Sequence, residues 1–204
     1  MGELVVDMFV TLDGVIQGPG GPEEDQGDGF EHGGWQAPFM DEQSGKSITE
    51  NIGRMDALLL GRRTYDIFAG YWPHQDSADP IASRLNSVPK YVASRTLDTV
   101  DWNNSTLLEG EVADAVARVK DQHREVHTIG SAELVQTLLR HDLVDRFELV
   151  VYPVLLGSGK RLFAEGTVPS GLELVAADRF PGGGVGLSYR RVGKPSYGNM
   201  ADPG

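Results

Sequence analysis

The sequence predicts an α/β fold, a mixed and mostly parallel sheet with helices on both faces. Strand-like and helix-like segments alternate as far as residue 140, and strand-like runs then follow one another, the order expected of a parallel sheet that ends in antiparallel strands. Three of the early runs, LLLGRRTYD (58–66), YVASRTL (91–97) and HTIGSAELVQTLL (127–139), close on small residues beside basic or hydroxyl residues. The chain has 204 residues, the size of one domain, with 40% hydrophobic residues to build a core.

Residues 3–10, ELVVDMFV, read as the first strand, closed by the turn-like Thr11-Leu12-Asp13-Gly14. From Gly18 to Gly34 the composition shifts to Gly, Pro, Asp and Glu without periodicity. A loop of this length is either a functional lid or a disordered insertion; the stretch of about 17–34 is read here as a flexible active-site flap. A helix over 41–54 places Ile48, Ile52 and Met55 at helical spacing, and 56–60 form the second strand. Short helices follow at 64–71 and 80–87, the latter opened by Asp79 as cap and Pro80 at the first helical position.

Residues 90–93 make a third strand and 106–109 a short strand candidate. The helix over 111–122 gathers Val112, Ala115, Val116 and Val119 on one face. Residues 126–129 form a strand, and 132–140 a helix that buries Leu134, Val135, Leu138 and Leu139, with the Ser131 hydroxyl placed to cap its first turn. The apolar run 147–156 is broken by Pro153, as in a buried strand with a kink. Strands at 172–177 and 186–192 are antiparallel neighbours through the turn Pro181-Gly-Gly-Gly184. Residues 1–192 are thus expected to form a single domain and 193–204 a polar, frayed tail.

A net charge of −12 argues against a nucleic-acid or anionic-membrane partner, which would need a broad field of Lys and Arg. The absence of cysteine excludes disulfides, thiolate nucleophiles and zinc-thiolate sites and agrees with a reducing compartment. No basic segment leads into an apolar core at the N-terminus, and no apolar run approaches spanning length. The expected location is cytoplasmic and the expected partner a small molecule.

In an open α/β sheet, ligands bind beyond the carboxyl ends of the strands, where Gly61, Arg62, Arg63, Thr64, Ser94, Arg95, Thr96, Gly130, Ser131, Ala132 and Glu133 would gather. The Gly130-Ser131 step opens a helix, whose N-terminal amides and roughly half a positive charge suit a pyrophosphate. An ordinary strand-to-helix turn would look the same, and no GxGxxG fingerprint is present. Ser94-Arg95-Thr96 could bind a phosphomonoester such as the one that distinguishes NADP from NAD, or form a surface turn. Arg62/Arg63 and Lys160/Arg161 can each grip a phosphate or make a solvated face.

Taken together the motifs resemble the dihydrofolate-reductase-like superfamily, and more closely its riboflavin-biosynthesis reductase branch, the RibD C-terminal domain. The resemblance rests on Leu60-Gly61-Arg62-Arg63-Thr64-Tyr65, Ala93-Ser94-Arg95, Ile129-Gly130-Ser131 with Leu134 and Leu138-Leu139, and the run from Pro153 to Phe163; Thr11-Leu12-Asp13-Gly14 fits the same branch. It covers roughly residues 3–192.

The resemblance implies a three-layer dihydrofolate-reductase-like fold that binds NADPH, forms a homodimer and reduces a pyrimidine- or pteridine-like substrate, as does 5-amino-6-(5-phosphoribosylamino)uracil reductase. Arg62, Arg63 and Thr64 would meet the cofactor phosphates, Ser94 and Arg95 the adenosine 2′-phosphate, and Gly130 to Glu133 the pyrophosphate. Where the family frequently has Gly-Gly, this chain has Gly130-Ser131. No deaminase domain with zinc ligands precedes the reductase-like part, so the complete bifunctional enzyme is not expected.

Hydride transfer to a C=N bond requires a proton source or a preorganised donor. Asp13, at the end of the first strand, and Asp41, six residues after Trp35, are the candidates, although Asp13 could simply shape a turn and Asp41 complement a helix dipole. Trp35 could wall a heterocycle. Lys160 and Arg161 could hold a substrate phosphate or lie on an exposed turn. His123 and His127 are four apart with a helix end between them, and the Asp25, Asp28, Glu31 and His32 spacing matches no calcium loop, so no metal is expected. The alternatives are a related reductase with another substrate, a non-catalytic nucleotide-binding regulatory protein, and a scaffold that binds no nucleotide.

Overall fold

The structure is a computed structural model that describes residues 2–200. Its strands are β1 (Glu3–Thr11), β2 (Ala57–Gly61), β3 (Lys90–Ala93), β4 (Ser105–Leu107), β5 (Glu125–Ile129), β6 (Arg146–Tyr152), β7 (Leu172–Arg179) and β8 (Val185–Arg191). They form one sheet in the order β4-β3-β2-β5-β1-β6-β8-β7. The first six strands pair in parallel, and β8 and β7 add antiparallel at one edge. This is the mixed, mostly parallel α/β sheet that the sequence predicts.

The helices are α1 (Glu42–Arg54), α2 (Arg62–Tyr71), α3 (Pro80–Ser87), α4 (Val112–Gln122) and α5 (Ala132–Arg140). Strand alternation distributes side chains between two cores. Leu4, Val6, Met8 and Val10 of β1, with Ala57 and Leu59 of β2, meet Val116 and Val119 of α4 and Leu134, Val135, Leu138 and Leu139 of α5. Leu58 and Leu60 of β2 face the other way, toward Ile52 of α1, Tyr65 of α2 and Leu85 of α3. Each fully buried Leu or Val contributes about 1.5–3 kcal/mol, so the sheet is held from both sides.

The element boundaries follow local chemistry. Asp79 accepts hydrogen bonds from the amides of Ile81 and Ala82, with Pro80 opening α3, as the sequence predicts. Helix α2 begins two residues before the expected Thr64, because Gly61 takes the cap position and draws Arg62 and Arg63 into the first turn. Strand β6 stops at Tyr152 because Pro153 has no amide to continue the ladder. Lys90 is buried, and its Nζ donates to the carbonyls of Leu85, Val88 and Asn86 near the end of α3, 4.4 Å from the Trp102 ring centre. Burial pushes its pKa down to about 8.

A charged layer lies between the sheet and α1. His127 is fully buried, with Nδ1 2.6 Å from Asp7 Oδ2 and Nε2 3.0 Å from Glu125 Oε1. Asn51 of α1 donates to Asp7, and Arg146 pairs with Glu3 and Glu125. A ring with a carboxylate at each nitrogen donates from both only as the imidazolium. Burial opposes that charge, but the attraction and hydrogen bonds of Asp7 and Glu125 outweigh burial and raise the pKa above its ordinary 6.5.

The stabilisation from a protonated His127 should therefore be complete below pH 6.5 and lost as pH rises through the raised folded-state value. The loss has a slope of at most about 1.4 kcal/mol per pH unit. Urea unfolding between pH 6 and 9 should show the wild type losing stability relative to His127→Gln as pH rises, a difference to which Lys90, common to both, does not contribute. Parallel profiles would refute the assignment.

Candidate active site at the carboxyl edge of the sheet

Because β1, β2, β3, β5 and β6 run parallel, the turns after them leave from one edge. Two of those turns are in direct contact. The Ser131 hydroxyl accepts from the Gly61 amide at 2.9 Å and donates to Thr64 Oγ1 at 2.8 Å, joining the start of α2 to the start of α5. Gly130 has φ +71°, and a Cβ there would stand 3.2 Å from Thr64 Oγ1, so glycine serves both the conformation and the close approach.

This arrangement corrects the expected cap. Ser131 occupies the N-cap position of α5 but is left-handed (φ 64°) and makes no side-chain cap bond. Its hydroxyl is turned to the neighbouring turn instead. Gly61 supplies no side-chain cap to α2 either. Two helix N-termini, each without a side-chain cap, thus lie beside one another, with Arg62, Arg63 and Thr64 in the first turn of one and Ala132 and Glu133 in the first turn of the other. The aligned partial charges favour an anion.

After β3, the Ser94 hydroxyl accepts from the amides of Thr96 and Leu97, which fixes a turn and leaves Arg95 exposed, with no ion pair among the described residues. The other arginines here are paired: Arg62 with Asp66 at 3.2 Å and Arg63 with Asp25 at 3.6 Å.

Asp13 accepts hydrogen bonds from the Thr11 hydroxyl and from the amides of Gly157 (2.8 Å) and Leu156 (3.3 Å). The Thr11 bond, reinforced by those amides against the effect of burial, holds its carboxyl below the ordinary value. Asp13 therefore ties the turn after β1 to the Pro153–Phe163 run, whose backbone also meets that turn through Leu12–Val154, Gly14–Leu162 and Ile16–Lys160 hydrogen bonds.

Asp41 caps α1 in a reciprocal box with Ser44 and accepts from the Gly182 amide at 2.8 Å. The Ser44 amide leads the interactions that lower its pKa. Both candidate carboxylates are thus ionised and engaged with backbone amides.

The 17–34 stretch is held at several points. Gln17, 4% exposed, donates to the carbonyls of Asp25 and Gly27 and accepts from the Lys160 amide. Phe30 and Trp35 are buried with Val15 and Tyr152, and the Trp35 indole donates to the Gln17 carbonyl at 2.8 Å. Trp35 therefore supports the loop from beneath. Lys160 Nζ stands 2.7 Å from Asp25 Oδ2, while Arg161 donates to the Asp13 carbonyl and lies 3.8 Å from its carboxylate. The sequence reading overlooked Gln17 and weighed Asp25 only as a cation ligand: one glutamine and one aspartate in an acidic, aperiodic loop carry no local signal of the partners they meet.

Residues 3–184 match the RibD C-terminal domain, and the chain belongs to that family. It is 30% identical over 190 residues to YyaP of Bacillus subtilis (strain 168), described as uncharacterized, covering 91% of this chain and 93% of that protein. YwjB of the same organism, also described as uncharacterized, is 29% identical over 192 residues, with 92% and 97% covered. Among solved structures, a putative riboflavin biosynthesis protein from Shewanella sp. PV-4 superposes with a TM-score of 0.66 at 21% identity, covering 93% of this chain and 99% of that one. A pyrimidine reductase-like protein from Corynebacterium diphtheriae gives 0.61 at 13% identity, with 94% and 92% covered. These two share the fold.

Gly130→Ala should lose about 1–3 kcal/mol of stability through left-handed strain and crowding of Thr64. Ser131→Ala should lose about 1–2 kcal/mol by leaving the Gly61 amide without its acceptor. Urea unfolding of the two variants measures both; wild-type midpoints in both would refute the bridge.

Proposed function

We propose that the protein is a reductase that uses NADPH to reduce a C=N-type bond in a small pyrimidine- or pteridine-like molecule, chemistry similar to that of 5-amino-6-(5-phosphoribosylamino)uracil reductase. The observation that carries this reading is the pair of helix N-termini without side-chain caps, joined by Ser131 at the carboxyl edge of the sheet, in a chain of the RibD C-terminal domain family. The residues present fit the cofactor. Gly130 lacks the Cβ that would crowd the edge, the first turns of α2 and α5 favour a pyrophosphate, and exposed Arg95 in the Ser94 turn suits a 2′-phosphate.

NADPH supplies the hydride when bound. Gly61, Arg62 and Thr64 would hold phosphate at one helix start and the backbone amides of Gly130, Ser131, Ala132 and Glu133 at the other, Ser94, Arg95 and Thr96 would select the phosphorylated ribose, and Arg63, expected beside Arg62, is engaged by Asp25. Asp13 and Asp41, kept ionised, shape and orient the turns at the substrate end, and the proton for the acceptor nitrogen comes from water. Their engagement also favours a second reading, a regulatory protein that binds the nucleotide without turning it over. Among the described residues no helix is long and apolar enough to cross a membrane. We place the protein in the cytoplasm, in keeping with its lack of cysteine.

A homodimer is part of the same proposal. All eight residues of the edge strand β7 are exposed, Leu172, Leu174 and Val175 among them, which supplies an apolar edge for a second copy. Sedimentation velocity should give a dimer for the wild type and a monomer for Leu174→Glu; a monomeric wild type would refute this part.

Titration with NADPH and NADH, followed by tryptophan fluorescence, tests the cofactor assignment. NADPH should bind more tightly than NADH, and Arg95→Ala should abolish the preference. Binding of neither nucleotide would overturn the reductase reading, whereas NADPH binding without reduction of any pterin or pyrimidine acceptor would select the regulatory one.

A further inference from the structure

Two cations that meet the 17–34 loop are already occupied. Arg63, in the first turn of α2, and Lys160, in the run after β6, come from segments almost a hundred residues apart in the chain, and both face Asp25. Lys160 Nζ is 2.7 Å from Asp25 Oδ2, Arg63 Nη1 is 3.6 Å from Asp25 Oδ1, and the Gly27 amide donates to Oδ1 at 3.0 Å. A clamp of two basic residues with backbone N–H support is the arrangement that recognises a phosphate. Here its anion is part of the protein.

The placement of Asp25 is built in from several sides. Gln17 holds the carbonyls of residues 25 and 27 while binding the backbone of Lys160, so one buried side chain sets the loop and the clamp together. Phe30 anchors the far end beneath Gly159, where a Cβ would come within 2.7 Å of its ring and where φ is +115°. Asp25 is itself partly buried, its side chain 14% exposed. Burial opposes its charge, but the Lys160 hydrogen bond, the Gly27 amide and the charges of Lys160 and Arg63 prevail and lower its pKa.

We infer that Asp25 is a specificity determinant: it fills the Arg63–Lys160 clamp with an internal carboxylate, so that the acceptor of this enzyme brings no phosphate to that position and is uncharged at that end. A phosphate monoester entering there would lie against an ionised carboxylate or would have to displace it, together with the Gln17 and Gly27 contacts that hold it. The neighbouring Arg161 is also engaged, by the backbone and carboxylate of Asp13. The inference rests on the reductase reading and narrows its substrate class to non-phosphorylated heterocycles.

The test is calorimetric titration of the full chain with ribose 5-phosphate, in the absence of nicotinamide nucleotide. Asp25→Asn keeps an oxygen for the Gly27 amide and removes the charge; it should bind ribose 5-phosphate about tenfold more tightly than the wild type, the effect of deleting one nearby like charge in a partly solvated site. Adding Lys160→Met to Asp25→Asn should remove the gain, which separates the clamp from any other anion seat. Lys160→Met alone, in which Asp25 remains, should leave the wild-type affinity unchanged and serves if Asp25→Asn does not fold. No gain in Asp25→Asn, or a loss of wild-type affinity in Lys160→Met, would overturn the inference. Because no cofactor is present, these outcomes are independent of whether NADPH binds.

Discussion

The parallel pairing of β1 with both β5 and β6 is the constraint on which the rest of the structure depends. It brings the turns after β1, β5 and β6 to one edge, and β2 and β3 join the same edge through β5. A slip of one residue in any of these pairings would exchange the two faces of a strand, moving Val6 and Met8 out of the core and bringing Asp7 into it. The register that buries the strand is therefore the same register that sets Asp7 against His127 and Gly130 beside Thr64.

Polar side chains at the carboxyl edge act largely on backbone. Asp13, Asp41, Ser94 and Ser131 each accept from amides of turns or helix starts. Buried amides must find acceptors, and turns that carry a ligand site expose more of them than a continuing strand does. A carboxylate engaged in this way is ionised and fixed in place, which suits a framework residue better than a proton donor.

The electrostatics of the edge are local. The chain carries a net charge of −12, yet Arg62 and Arg63 stand in the first turn of α2 and Arg95 after β3. Asp66 and Asp25 partner two of them, whereas Arg95 stands exposed without an ion pair among the described residues. An unpaired guanidinium remains available to a ligand phosphate, while a paired one must first lose its partner. The contrast between Arg95 and Arg63 thus separates a solvent-exposed cation from one bound within the protein.

Much of the fold was legible in the sequence. The spans 80–87, 90–93 and 132–140 agree with α3, β3 and α5 to the residue, because Asp79-Pro80, Pro89 and Gly130 punctuate them locally. The order of strands and helices indicated the parallel sheet, and the three strand-end motifs indicated its carboxyl edge. Local chemistry also named Gly61, Thr64, Gly130 and Ser131 as residues of that edge.

What each side chain meets was decided by tertiary structure. The sequence assigns the Ser131 hydroxyl to a helix cap, and the approach of α2 turns it into a bridge instead. The sequence leaves the 17–34 segment without periodicity, and Gln17, Phe30 and Lys160 hold it through partners up to 143 residues distant. Such contacts leave no trace in neighbouring residues, since they depend on where separate turns converge in space; the pairing of Asp25 with Arg63 and Lys160 is of this kind.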